Sequence, residues 1–553
     1  MNARPTTDGA KVPTGRAAKG SPPMTTTSDV RLFAYRQGPW RGRLDVQGRV
    51  DDTVPTTATV PPAAARGAVG RPLPVGTHRL LAGAPYPRTP LPRPAVPASA
   101  VPVSAVPSAG AVRAEDRLGH LLVAALGLQR REPSNRFNDH RSIASVRSKF
   151  PVHAFTVAPD GSVAYLDLYR HALVELRPGA AAGPDTDVLR PGPGDVTVLL
   201  AARFSDLPTP YARLRCALSL LELGINLRGL HTAADLFGVA ARLRLDGADT
   251  SAAARVVAGS GPGTWSAPLV VTLEGVGPLP ATVTLPGTAS SGPLSYAAGD
   301  ARLREEAAEP SVVEAAAITE PLTALACAAA EPVRGVPDLT DLPDRAPGSA
   351  RPDWAQALWN RTAGRVPATL SGFSARPATL GEDCLADLLA WGSAPAPGLL
   401  AGIARRVRVD VALQRMAGLP TGRYTVADGQ LVSDRADPDL MRELQDGFSY
   451  PLTPVQDCGL RHANAMWVFS ADIDGILDDF GPAGWSLLQI WCGWGAHGVS
   501  TAAAAHGLFA RPARSFEEFR MQQVMGLPRE LVPVFTVTCG RSRFAEPMLD
   551  MRI

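Results

Sequence analysis

The stretch WNRTAGRVPATLSGFSARPATLGEDCLADLLAW, residues 359–391, sets Arg361, Thr362 and Arg365 a short way ahead of an apolar run with helical spacing. Two arginines four apart repel slightly when they share a helix face. They are therefore either solvated or they share an anion, and the rest of the chain has to separate these readings. In a chain with 55 basic residues, of which only Lys11, Lys19 and Lys149 are lysines, one arginine pair by itself reads first as surface charge.

Composition narrows the field. At 553 residues and 45% hydrophobic content, the chain can fill the cores of two or three domains. A net charge of +3 gives no whole-protein grip on nucleic acid. There is no run of about 18 apolar residues for a membrane span, and the polar start MNARPTTDGAKVPTGRAAKG lacks the apolar core of a signal peptide. A cytoplasmic location is expected. The six cysteines, Cys216, Cys327, Cys384, Cys458, Cys492 and Cys539, form no CxxC and no zinc-spaced cluster with histidine. They read as buried, reduced thiols, and no metal site is expected. His497 and His506, in the Ala-rich run that closes a long helix, read as hydrogen-bonding rather than ionising groups.

Residues 1–110 are rich in Pro, Ala, Thr and Val, and PYPRTPLPRPAVPASAVPVSAVP is expected to be extended chain of low order. Residues 111–255 then read as a first domain. Its helix RAEDRLGHLLVAALGL is followed by a hairpin turning at Asp160-Gly161 in VHAFTVAPDGSVAYLDL. The strand DVTVLLAARF and the long helix YARLRCALSLLELGINLRGLHTAADLFGV complete it. Residues 256–350 alternate strand-like pieces such as PLVVTLEGV with Gly/Ser turns, and read as a connecting region. From 351 to 553 the earlier order returns: helix EDCLADLLAW, half a hairpin in GLPTGRYTVADGQLV, strand AMWVFSAD, long helix GWSLLQIWCGWGAHGVSTAAAAHGLF and strand LVPVFTVTCG. The expected fold class is α+β, one domain type used twice, so that one chain does what a homodimer does with two.

Several of these pieces together resemble the flavin-dependent nitroreductase superfamily. NRTAGR is similar to its opening arginine, serine, x, arginine motif, AAAAHGLFARP to its helix ending at a small-residue turn, and MGLPRELVPVFTVTCGRSR to its Gly-Leu-Pro, edge strand, glycine and basic pair. In the first half, RSIASVRSKFP and VAYLDLYRHALVELRPG resemble the branch containing the azoline dehydrogenases of ribosomal peptide biosynthesis, of streptolysin and microcin type. Ser145 and Pro151 match that branch's pattern, whereas Ala144 and Arg147 replace its usual Pro and Gly.

The resemblance implies two tandem nitroreductase-like domains forming an intrachain pseudo-dimer, with flavin mononucleotide (FMN) at the seam. Its phosphate would be held by Arg361, Thr362, Arg365, Arg541 and Arg543, since forked guanidinium donors suit a doubly charged phosphate. Ser145 and its neighbours would cover the ring, giving one complete site per chain. The branch also carries a Lys-Tyr pair ahead of the long helix, followed by Glu-x-Gly. Here Tyr211 precedes Glu222 and Gly224, but Pro210 takes the lysine place; in the second half Asp479 does, ahead of Phe480. Tyr211 or Asp479 would have to serve as the base. The implied activity is oxidation of thiazoline or oxazoline rings to thiazole or oxazole in a precursor peptide, with a cyclodehydratase as partner. A catalytically degenerate subunit that binds the peptide or scaffolds the complex stays open, as does pairing of two chains.

Overall fold

The computed structural model of the protein describes residues 26–36, 68–82, 84, 112–133, 139–176, 184–207, 211, 214–260, 263–285, 319–325, 331–337, 352–364, 373–448, 459–545 and 547–553. Arg365, Pro210, Cys327, Cys458 and the proline-rich run at 85–107 lie outside the described residues.

The first half supplies α1 (Thr27–Arg36), α2 (Thr77–Leu81), α3 (Arg117–Leu126), α4 (Pro184–Leu189), α5 (Leu214–Leu236) and α6 (Gly247–Gly259). Its strands are β1 (Val69–Pro72), β2 (Leu128–Arg131), β3 (Asp139–Arg141), β4 (Val152–Val157), β5 (Val163–Asp167), β6 (Ala172–Glu175), β7 (Val196–Ala202), β8 (Ala240–Arg244), β9 (Leu269–Glu274) and β10 (Val283–Thr284). The second half supplies α7 (Trp354–Asn360), α8 (Glu382–Gly392), α9 (Leu400–Ile403), α10 (Leu440–Asp446), α11 (Ile473–Phe480), α12 (Gly484–Ala505) and α13 (Glu518–Val524). Its strands are β11 (Ala375–Arg376), β12 (Val407–Leu413), β13 (Gly422–Ala427), β14 (Gln430–Ala436), β15 (Ala465–Asp472), β16 (Phe509–Ala513), β17 (Leu531–Ser542) and β18 (Leu549–Asp550).

Two antiparallel sheets follow one plan. The first runs β10-β1-β6-β5-β4-β7-β9-β8; the second runs β11-β17-β15-β12-β13-β14, with β16 also on β17. The path β6-β5-β4-β7-β9-β8 thus matches β14-β13-β12-β15-β17-β16 strand for strand. A constant offset of 269 residues carries the start of β7 onto β15, the end of α5 onto that of α12, and both ends of β8 onto those of β16. The hairpin turns are local chemistry. Gly161 has φ 81° and Ser162 donates to Asp160 Oδ1 at 2.8 Å, while Asp428 and Gly429 both take positive φ, as a tight two-residue hairpin requires.

All but one residue of each long helix is buried, so neither has a polar face to offer solvent. They cross at glycines. A Cβ on Gly224 would fall 1.9 Å from the Ile490 carbonyl oxygen, and one on Gly493 would fall 2.0 Å from that of Leu221. Only glycine lets the two backbones touch in this way. Beside the crossing, the wholly buried Arg228 lies 5.6 Å and 5.3 Å from the ring centres of Trp391 and Trp494 and donates to the Trp494 carbonyl. One apolar core therefore runs through both halves. A small sheet, β18-β2-β3, ties the end of the second half to the first.

Three expectations change. Residues 256–350 are not solely a connector, because β9 lies inside the first sheet between β7 and β8, and position 255 falls within α6. Part of 1–110 is regular: β1 pairs with β6, its Pro72 at the strand's end, where a missing N–H costs least. The strand LVPVFTVTCG is internal rather than an edge, flanked by β15 on one side and by β16 on the other. Cys216, Cys384, Cys492 and Cys539 are buried and form no disulfide among the described residues.

Candidate functional site

The helix α7 starts on Asp353, whose carboxylate accepts the Gln356 N–H at 2.7 Å, and ends on Asn360, whose amide donates to the Ala504 carbonyl in the last turn of α12. Arg361 leaves the helix and plunges into the junction between the halves, only 5% exposed. Its Nε donates to the Arg141 carbonyl at 3.0 Å, and its own carbonyl accepts both terminal nitrogens of Arg130 at 3.0 and 3.1 Å. Arg130 is paired with Glu132 at 2.9 Å, and both are fully buried. Burial, with Arg130 alongside, pulls the Arg361 guanidinium down to about 9. Its terminal nitrogens have no hydrogen bond among the described residues.

Around Arg361, donors are left over. Thr362 is buried, its Oγ1 has no partner, and its carbonyl accepts the Ala510 N–H at 2.9 Å, which fixes the loop on β16. Arg141 Nε is also buried without a partner, its guanidinium 4.0 Å from the Phe150 ring centre. Arg541 is the penultimate residue of β17, one beyond Gly540, which pairs with Phe509. A Cβ on Gly507 would lie 3.9 Å from its guanidinium. Arg361, Thr362 and Arg541 thus gather where α12 ends and β16 begins. Arg543 is exposed beside Phe544, with its backbone N–H on the Ser374 carbonyl.

The first half brings the turn at 145–150. Ser145 accepts the Phe150 N–H at 2.7 Å and donates to Glu222. Arg147, Ser148 and Phe150 all take left-handed φ near 50°. Each costs a non-glycine residue roughly 1 kcal/mol, and Arg147 stands where the resembled branch has its glycine. Glu222, on α5, anchors this turn: Oε1 accepts the Val146 N–H at 2.7 Å, while Oε2 is buried without a partner. Burial pushes its carboxyl up to about 8. Tyr211 joins the same turn, its ring centre 5.3 Å from the Arg147 guanidinium.

Asp479 is not brought to this place. It is exposed, bonded by Arg406 at 2.8 and 3.0 Å, and held below the usual carboxylate range by that arginine. It precedes the start of α12, whereas Asn360 touches its last turn, and 22 helical residues span about 33 Å. Glu222 served in the sequence only as a register mark; nothing in its residue type announces an anchoring role. His506 bonds Asp387 at 2.5 Å as expected of a structural histidine. His497 is different: burial drives it down to about 3, and its Nδ1 has no partner.

Among the described residues no His/Cys/Asp/Glu group could hold a metal ion, and no helix is long and apolar enough to cross a membrane. Two buried arginines, Arg130 and Arg361, with Glu132 paired to the first and with the unfilled donors of Thr362 and Arg141 beside them, form a site that suits an anion such as a phosphate.

No protein-family model matches the sequence, and no curated protein sequence matches it. Among solved structures, a chain from Anabaena variabilis described as a nitroreductase superposes with a TM-score of 0.52 at 16% identity, covering 77% of this chain and 88% of that one. That span exceeds either half, so the likeness takes in both, and the fold is nitroreductase-like. A Ralstonia eutropha chain similarly described covers 39% of this chain at 21% identity and TM-score 0.27. The E. coli microcin synthetase McbBCD complex with truncated pro-MccB17 bound covers 36% at 16% identity and TM-score 0.27.

Proposed function

We propose that the protein is an FMN-dependent oxidoreductase, a tandem-duplicated pseudo-dimer within one chain, with one flavin held where α7 and the end of β17 meet the turn at 145–150. The observation that carries this reading is the set of unfilled donors: buried Thr362 Oγ1 and Arg141 Nε beside the free end of Arg361. Leaving buried donors unpaired costs about 1–3 kcal/mol each, a cost that a bound phosphate relieves. Arg361, Thr362 and Arg541 would grip the phosphate, with Arg365 and Arg543 from the flanking segments. The turn at Ser145, stiffened by Glu222, would lie against the ring.

FMN when bound supplies a two-electron acceptor for a hydride from substrate carbon. The chain's part is to orient that carbon, exclude water and accept the proton, and Tyr211 is the residue of suitable type beside the turn. Asp479 is set aside as a base by its distance from Arg361 and its pairing with Arg406. The substrate class follows from the sequence resemblance: thiazoline or oxazoline rings in a precursor peptide, handled in the cytoplasm beside a cyclodehydratase. The absence of the branch's lysine from its place, with Asp479 at the far end of α12, favours the competing reading of a peptide-binding subunit without turnover.

The test is the absorbance spectrum of the purified chain beside its Arg361→Ala, Arg541→Ala double variant. Flavin bands in the parent that vanish in the variant are expected. A parent that stays colourless with added FMN overturns the oxidoreductase reading and leaves the binding subunit.

A further inference from the structure

The offset of 269 residues that relates the halves carries Arg228, His231, Thr232 and Asp235 of α5 onto His497, Ser500, Thr501 and Ala504 of α12. On α12, the first and last of these residues receive the end of α7: Asn360 bonds Ala504, and His497 is kept neutral by burial, with Arg228 and then Arg361 adding to it. The equivalent surface of α5 is also covered, by residues 331–337 from the segment between the halves.

The grip is made by the equivalent positions. His231 Nδ1 meets the Val333 carbonyl at 2.7 Å, Arg228 Nε donates to the Gly335 carbonyl at 3.3 Å, and the Val336 N–H donates to Asp235 at 2.9 Å. The Gly335 N–H donates to Asp235 as well. Gly335 lies so close to α5 that a Cβ there would fall 2.2 Å from the Thr232 nitrogen, and Val336 is 3% exposed. Arg334 faces Asp235 at 3.8 Å. In the first site the donors are unfilled. Here the Gly335 and Val336 N–H groups are spent on a carboxylate and an incoming anion would meet Asp235, although His231 Nε2 is buried without a partner.

We infer that residues 331–337 seal the second, pseudo-equivalent site, so that the chain holds one flavin and not two. This rests on the flavin reading of the first site. It makes the segment between the halves a working part: it takes on α5 the place that residues 360–361 take on α12, with the Gly335 and Val336 N–H groups turned onto Asp235.

FMN titration of the parent and of the Arg361→Ala, Arg541→Ala variant, combined with hydrogen exchange of the peptide covering 331–337, tests it. One FMN per parent chain, none in the variant, and slow exchange at Gly335 and Val336 that saturating FMN leaves unchanged are the expected results. Two FMN per parent chain with one surviving in the variant overturns the seal while the flavin reading stands. Fast exchange at Gly335 and Val336 in the flavin-free protein, or protection lost on FMN saturation, also overturns it. No FMN bound to the parent overturns the reading of the first site, and with it the count of one.

Discussion

Replacing Glu222 by Gln should stabilise the protein in a pH-dependent way. In the folded chain burial raises this carboxyl to about 8 from its ordinary 4.5. Between those values the native state holds a proton that the unfolded chain has lost, so stability falls as pH rises across that window. Each pH unit is worth roughly 1.4 kcal/mol, which sets a ceiling of about 5 kcal/mol by pH 8. Glutamine keeps an oxygen for the Val146 N–H and carries no charge at any pH. The variant should match the parent near pH 4.5 and exceed it by about 2–5 kcal/mol at pH 8. Asp235, raised to about 7 by burial, adds a slope of the same sign. His140 and His231, lowered to about 4, and His497, lowered to about 3, add slopes of the opposite sign below pH 6.5. These are common to both proteins and cancel in the difference. The assay is urea unfolding of both at pH 5, 6.5 and 8. A difference that does not grow with pH would refute the account of a protonated, buried anchor under the turn.

Thr362→Val should act with opposite signs on two observables: removing a buried, unpartnered hydroxyl raises flavin-free stability by about 1 kcal/mol, while FMN affinity falls roughly tenfold, as read by urea melts and FMN titration. Gly224→Ala drives a methyl into the Ile490 carbonyl and should cost about 3 kcal/mol or more, measured by thermal unfolding; a neutral result would mean that the helices do not cross backbone to backbone. Asp479→Ala should leave FMN binding and Tm where they are, because the residue is an exposed partner of Arg406; lost flavin would return it to the site.

Long, uninterrupted patterns were the legible part of the fold. Residues 465–472 announce β15 residue for residue, and the two long helices were readable because few-polar runs of that length leave no other option. The Asp-Gly turn at 160–161 declared itself through backbone chemistry. What escaped was non-local. PLVVTLEGV reads as a strand, but its insertion between β7 and β8 depends on partners dozens of residues away, so it was set in a connector. The site was half legible. The resemblance pointed to Arg361 and Arg541, but sequence alone cannot separate a buried arginine from a solvated one, nor a carboxylate on Arg406 from one poised for catalysis. Glu222 illustrates the gap: its role comes from the turn folded over it.

The crossing of Gly224 on Gly493 has a consequence for synthesis. The partner surface of α5 lies 269 residues downstream, and at roughly 5–20 residues per second it leaves the ribosome some 15 to 50 s later. Through that interval a helix with almost no polar face waits uncovered. A freely exchanging dimer could cover it with any neighbouring copy, whereas this chain must wait for its own second half. Slowing translation beyond residue 240, or truncating before residue 484, should therefore send the nascent chain to chaperones or to aggregates rather than to a stable half-protein.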